Sequence, residues 1–302
     1  MYYEAGDATI RRRATSCHGA ADPKGRMERT SMIRTQADIA AQTGKLLAQM
    51  RRARPLVHNI ANYVSMDIAA NALLAIGASP AMVHAREEVA EFVSISSALV
   101  VNIGTLSTPW IEGMKLAAEA AVAHHKPWVL DPVGAGATRL RNEAVAALLP
   151  HRPSIIRGNA SEIMAVAGGV GVAPKGVDSA NTTEEATALA VSLATHQRCV
   201  VIATGAIDVI TDGKRVVKLA NGSPMMTKVT ALGCALSAVT GAFAAVTEDA
   251  FEASVAAVAV YGIVGELAAE HAAGPGSYRV AFLDRLASIE VRHIEQHLKL
   301  AG

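Results

Sequence analysis

Aromatic residues make up 4% of this chain, charged residues 18%, and cysteines number only three. Each shortage excludes something. Few aromatics leave little material for stacking platforms that hold bases or sugars. A net charge of +1 gives no basic face for nucleic acid or an anionic membrane surface. Cys17, Cys199 and Cys234 offer no C-x-x-C pair and no disulfide framework, so a reducing cytoplasm is the expected setting. No apolar run reaches membrane-spanning length free of charges and turn residues.

What is present is a chain of 302 residues, 51% of them hydrophobic, enough for one large α/β core. Residues 1–34 stand apart. They carry Arg11, Arg12, Arg13, Lys24, Arg26 and Arg29 with little apolar content. No hydrophobic stretch follows, as a secretory signal requires, and Glu4, Asp7, Asp22 and Glu28 argue against a transit peptide. The segment reads as a disordered extension, with Met32 as an alternative start.

From residue 35 onward helices alternate with short apolar strands. Helices are expected over Ala37–Arg52, Met66–Ile76 with Gly77 as its stop, Glu87–Ser96, Thr108–His124, Arg141–Leu149, Ala160–Ala167 and Glu184–Thr195. Strands are expected at Pro55–His58, Ala81–Val83, Ala98–Ile103, Trp128–Leu130, Ser154–Ile156 and Val200–Ala203. Gly168–Thr183 reads as a loop, and Asp212-Gly213 as a hairpin turn between Ile207–Thr211 and Arg215–Leu219. Three long helical stretches follow, near 234–246, 250–271 and 277–298. The alternation implies one domain, residues 35–302, with a mostly parallel central sheet and helices on both faces.

Ligands of open α/β sheets bind off the carboxyl ends of the strands. Asp131, Arg157, Asn159 and Thr204 fall there. Asp131 heads the Gly-rich turn D-P-V-G-A-G-A-T and is a candidate magnesium ligand. Asn159 and Glu162 have the spacing of a capping box, an adequate local account. A further role for Glu162 is to organise magnesium-bound water, with Arg157 pairing to phosphate oxygens. Thr204 offers a hydroxyl to a phosphate oxygen or sits in an ordinary turn.

The stretch T-K-V-T-A-L-G-C-A-L-S, Thr227–Ser237, places small residues before an apolar helix. The free amides of such a start, with the helix dipole, hold anionic oxygens. Cys234 lies there as a base, with a thiol pKa lowered by the helix start, or as a small packing residue. Because phosphoryl transfer depends on positioning and charge, a weak base suffices. His58, Asn59, Asn62, Met82 and His84 make a set suited to a small amphipathic heterocycle. The two histidines lack partners at metal spacing and read as orienting or packing residues.

These pieces, H-N-I-A-N-Y-V, N-A-L-L-A-I-G-A-S-P-A-M, N-I-G-T-L, D-P-V-G-A-G-A-T, I-R-G-N-A-S-E-I, T-G-A-I-D-V-I, N-G-S-P-M-M-T-K-V-T, G-C-A-L-S-A-V-T-G-A-F and G-P-G-S-Y, occur in order over residues 55–280. Together they resemble the hydroxyethylthiazole kinase family of the ribokinase-like superfamily. The resemblance implies ATP- and magnesium-dependent phosphorylation of 5-(2-hydroxyethyl)-4-methylthiazole in thiamine salvage, by a homotrimer with active sites between subunits. It implies that Met82, Asn62 and Gly104 bind the thiazole, that Arg157, Thr204 and Gly233 bind ATP, and that Asp131 and Glu162 serve magnesium. Cys234 then stands where most sugar-kinase relatives carry an Asp base. One departure is clear. The family shows G-x-G-C, and this chain has Ala231-Leu232-Gly233-Cys234. Ala231 replaces a substrate-contacting glycine, so a positive φ there is costly, and Leu232 is expected to crowd the reacting centre. The alternatives are a hydroxymethylpyrimidine or pyridoxal kinase, a nucleotide-dependent dehydratase, and a binding protein that has lost catalysis. A dinucleotide oxidoreductase is disfavoured, because no G-x-G-x-x-G follows the first strand.

Overall fold

The computed structural model describes residues 35–172 and 183–301. The expected N-terminal extension, with Cys17 and Met32, lies outside the described residues, as does most of the expected 168–183 loop. In chain order the elements are α1 (Gln36–Ala53), β1 (Leu56–Ile60), α2 (Met66–Ile76), β2 (Ser79–Ala81), α3 (Val89–Ile95), β3 (Ala98–Asn102), α4 (Thr108–Ala123), β4 (Trp128–Asp131) and α5 (Arg139–Leu148). Next come β5 (Ile155–Asn159), α6 (Ala160–Gly169), α7 (Thr183–Gln197), β6 (Val200–Thr204), β7 (Asp208–Thr211) and β8 (Val216–Leu219). The chain closes with α8 (Leu232–Ala244), α9 (Ala250–Ala269), α10 (Pro275–Ser288) and α11 (Val291–His297).

The strands form one eight-stranded sheet in the order β2-β1-β3-β4-β5-β6-β7-β8. Strands β2 through β6 run parallel, and β7 and β8 return as the antiparallel hairpin turned at Asp212-Gly213. Side chains of alternate strand residues enter opposite faces. Val57, Val100, Val129, Ile155 and Ile202 join a core with α1, α2 and α8–α11. Ile60, Leu99, Val101, Leu130, Ile156 and Val201 join a core with α3–α7. Helix α9 is long and apolar enough to cross a membrane, yet it carries Glu252 and Glu266 and 83% of its apolar window is buried. It is a core helix here.

Four expectations need correction. The edge strand is Ser79–Ala81, so Met82 and Val83 follow it. Asp131, Arg157, Asn159 and Thr204 lie within β4, β5 and β6 and not beyond them. Gly168 and Gly169 extend α6. The last expected helix is two, because Ile289 and Glu290 turn extended between α10 and α11; Ile289 buries its side chain there, and packing outweighs helical propensity.

The strand order reverses between β1 and β3. The chain runs from β1 out to the edge at β2, then crosses back over β1 to β3. A crevice opens at the carboxyl ends of strands at such a switch point.

Candidate active site

The carboxyl ends of β3, β4, β5 and β6 are brought side by side by their register. Asn102 pairs with Asp131, and Asn159 with Thr204. Helix α8 starts over these ends, and its first turn meets them.

At the switch point a chain of buried amides leads to Asp131. Asn62 donates to Asn102 Oδ1 at 2.8 Å, and its Nδ2 lies 3.5 Å from the Cys234 Sγ. The Gly104 amide donates to the same Asn102 oxygen at 2.9 Å. Asn102 then turns its own Nδ2 to Asp131 Oδ2 at 2.7 Å. A Cβ on Gly104 would sit 2.4 Å from Asn62 Nδ2, so only glycine lets the two meet. Ser237 donates to Asp131 Oδ2 at 2.8 Å. One oxygen of Asp131 is thus held twice, while buried Oδ1 has no hydrogen-bond partner. Burial, against the opposing Arg157, pushes the Asp131 carboxyl up to about 6.

Arg157 lies beside it, nearly buried, with Nη1 4.0 Å from Asp131 Oδ1. Its Nη2 donates to Thr204 Oγ1 at 2.8 Å, and its Nε is buried without a partner. A Cβ on Gly233 would come within 2.9 Å of Arg157 Nη1. The glycine therefore lets the guanidinium lie against the start of α8. An orphaned cationic donor and an orphaned carboxylate oxygen are costly inside a protein. Side by side, they ask for an anion and for a cation or its water.

Glu162 is locked in place. Its Oε2 accepts from the Asn159 amide and its Oε1 from the Gly134 amide, both at 2.8 Å. Asn159 Oδ1 returns the capping bond to the Glu162 amide at 2.9 Å. The capping box is real, and it also staples the Gly-rich turn after β4 to α6. Arg141 ties the same turn to the loop after β3, donating to the Val133 carbonyl of the one and the Ile103 and Gly104 carbonyls of the other.

Helix α8 begins at Ala231, with φ 64° and ψ 10°, left-handed and with no side-chain cap. The costly positive φ expected there is present. Leu232 is buried in the core while also lining the cavity that opens from this turn, and its carbonyl accepts from the buried Tyr261 hydroxyl at 2.7 Å. The Cys234 thiol pKa is raised, first by burial and then by the Asp131 charge. The expected lowering by the helix start is overturned, because desolvation and a neighbouring carboxylate both disfavour the thiolate.

A cavity of about 820 Å³ opens from this turn. Arg157, Thr204, Ala231 and Gly233 line it, with Asn221, Met226, Val258 and Gly262 farther along. Asn62, Gly104 and Cys234 meet at the switch point. Met82 lies just past β2, half-buried against the core on the α2 and α8 side. His58 Nε2 is 2.8 Å from the Val83 carbonyl next to it; burial lowers the His58 pKa, so the neutral ring donates this bond. Among the described residues no group of three or more His, Cys, Asp or Glu could hold a metal. Asp131 Oδ1, without a hydrogen-bond partner, and the Glu162 oxygens, each with one amide bond and a lone pair to spare, have the chemistry to accept from the waters of a hard cation.

Sequence reasoning gave no role to Asn102, Ser237, Arg141 or Asp208. Asn102 is a lone amide at the end of an apolar strand, and Ser237 lies one turn after Cys234 on the same helix face. Both positions were legible. Desolvation of the half-buried Asp208 carboxyl, against the charge of Arg157, pushes it up to about 6, which no local pattern signals.

The profile of the Hydroxyethylthiazole kinase family matches residues 47–292. A hydroxyethylthiazole kinase of Rhizobium johnstonii is 54% identical over 260 residues, 86% of this chain and 97% of that one. One from Cereibacter sphaeroides is 51% identical over 257 residues, 85% of this chain and 97% of that one. The solved structure of a Pyrococcus horikoshii hydroxyethylthiazole kinase protein superposes with a TM-score of 0.81 at 40% identity, over 86% of this chain and 98% of that one. A Staphylococcus aureus pyridoxal kinase, at 16% identity and a TM-score of 0.54 over 70% and 88% of the two chains, shares the fold.

Proposed function

The chain belongs to the hydroxyethylthiazole kinase family, and we propose that it moves the γ-phosphoryl group of ATP to the primary alcohol of 5-(2-hydroxyethyl)-4-methylthiazole in thiamine salvage. The observation that carries this is the orphaned pair, Arg157 Nε and Asp131 Oδ1, buried beneath the uncapped start of α8. Such a pair suits a phosphate chain with its counter-ion.

In this reading the amides of Leu232, Gly233 and Cys234 face the transferring phosphoryl group, since a helix leaves its first N–H groups unpaired. Arg157 and Thr204 hold its oxygens. Bound magnesium would neutralise charge on the phosphates, with Asp131 and Glu162 holding its waters. Met82, Asn62, Gly104 and Ala231 surround the thiazole. Cys234, a neutral thiol, orients the hydroxyl more than it deprotonates it. The γ-phosphorus exchanges its bond to the bridging oxygen for one to the alcohol oxygen. ADP leaves, and the hydroxyl proton passes to solvent.

The working kinase domain is residues 35–302. The assembly is a homotrimer with active sites between subunits, a reading favoured by exposed Tyr63 and Val64, 69% and 58% accessible directly beside Asn62. Light scattering then gives about three times 31.3 kDa. Free Cys199 and Cys234 suit a reducing cytoplasm. The direct test is ADP release from magnesium ATP with hydroxyethylthiazole, hydroxymethylpyrimidine and pyridoxal in parallel. Release with the thiazole alone is expected. Release with another alcohol only, or with none, overturns the assignment.

A further inference from the structure

Residues 221–232 wall one side of the 820 Å³ cavity and run into the first turn of α8. One face of α9 holds this segment at three places. Tyr261, Gly262, Gly265 and Glu266 share that face, because residues three and four apart on a helix are neighbours. At one end, Glu266 Oε1 accepts from the Gly222 amide at 3.0 Å and from Asn221 Nδ2 at 3.2 Å. Asn221 also donates to the His297 carbonyl and accepts from the Lys299 amide, both at 2.8 Å. In the middle, a Cβ on Gly262 would stand 2.8 Å from the Asn221 carbonyl oxygen, and one on Gly265 2.6 Å from Met226 Sδ. The two glycines let the segment lie directly on the helix. At the other end, the Tyr261 hydroxyl donates to the Leu232 carbonyl at 2.7 Å, both residues being buried.

Ala231 lies between these holds. Its φ of 64° falls where an L-residue sits at a cost, and such a conformation persists only when its surroundings enforce it. Ala231 itself supplies nothing for this: its side chain is a methyl group, and the helix start has no side-chain cap. Resting on the kinase reading above for the ligand, we infer that Tyr261 and Glu266 are positioning residues, which grip residues 221–232 from α9, keep Ala231 left-handed and so aim the first amides of α8 at the phosphates. When either hold is released, the alanine relaxes to negative φ and those amides turn away. A glycine takes positive φ about as readily as negative, so Ala231→Gly makes the same release cost less.

The test compares the parent with Tyr261→Phe, which deletes a single oxygen, and with Glu266→Ala, each with and without Ala231→Gly. Carbon-13 shifts of Ala231 report its φ with no ligand present, and calorimetry gives the affinity for magnesium ATP. In both variants Ala231 should leave the left-handed region, and ATP affinity should fall about tenfold, the bias of an L-residue against that geometry. Adding Ala231→Gly should restore affinity to within about threefold. Glu266→Gln keeps an oxygen for Asn221 and Gly222 and should behave as the parent. Ala231 shifts that stay left-handed in either variant overturn the role of that residue. A loss of affinity that Ala231→Gly leaves in full overturns the coupling, since independent sites simply add. Should the parent bind no magnesium ATP, the kinase reading falls, and the Ala231 shifts still decide whether α9 holds the turn.

Discussion

Two helices start at the same site, and they start in opposite ways. Helix α6 begins at Asn159 in extended geometry, with a complete capping box. Its Glu162 uses both oxygens on backbone amides. Helix α8 begins at a left-handed alanine with no cap at all. A non-glycine residue there costs on the order of 1–3 kcal/mol, and such strain persists where surrounding structure enforces it. The satisfied start is scaffold: it fixes a carboxylate and the Gly-rich turn. The unsatisfied start keeps its amides open for a ligand. Equal dipoles do not make equal sites. What distinguishes them is whether the chain itself has already used the donors.

The contrast breaks most severely at Arg157. Arg157→Ala removes the cation over α8 and should lower kcat by about 10²–10³-fold, the usual loss for a transition-state donor, measured by steady-state kinetics. Glu162→Ala should lose most of kcat as well. It should also lose stability, because the box opens, by about 1 kcal/mol, read from urea unfolding. Near-parental turnover in either variant removes that residue from the site.

Next comes Asp131. Its carboxyl sits at about 6 in the fold, so kcat/KM should fall as the pH drops below about 6, since that profile reports free-enzyme groups. Asp131→Asn should abolish the limb along with most activity. Stability runs the other way. Between the unfolded value of about 3.9 and about 6, the folded chain keeps a proton that the unfolded chain has lost. This contribution is fully present below about pH 4 and declines as the pH rises through that window. A guanidinium midpoint that slopes less steeply across pH 4–6 once Asp131 is replaced than in the parent checks it, the slope that remains coming from Asp208, whose carboxyl is also pushed up to about 6.

Cys234→Ala should lower kcat more than it changes nucleotide affinity, and Cys234→Asp should retain activity, because a carboxylate can orient the same hydroxyl. Parental turnover in both makes the thiol a packing residue. The smallest effect sharpens the contrast. Ala231→Gly relieves the positive φ and should raise stability by roughly 1 kcal/mol without impairing turnover. A loss of stability would show that the alanine methyl is needed.

The parallel sheet, the hairpin and the main helices were legible because strand–helix alternation carries them. Asp131, Arg157, Asn159 and Thr204 were placed on one edge of the sheet by the rule for strand ends, and the register brings them there. The capping box at Asn159 and the strained Ala231 were legible too, since each is a local property of a few residues. Long-range partners were not. Glu162 reaching Gly134, and Asn102 joining Asn62 to Asp131, depend on which loops fold beside each other. The thiol of Cys234 was misread for the same reason: the helix start is local, but the burial and the Asp131 charge that outweigh it come from elsewhere in the chain.

The most direct test of the contrast between the two helix starts is backbone amide NMR on the nitrogen-15 labelled protein as magnesium ATP is added. The account predicts that the amides of Leu232, Gly233 and Cys234 shift most, while those of Asn159 and Glu162, already bonded within the chain, shift little. Large shifts at the start of α6 with none at the start of α8 would contradict it.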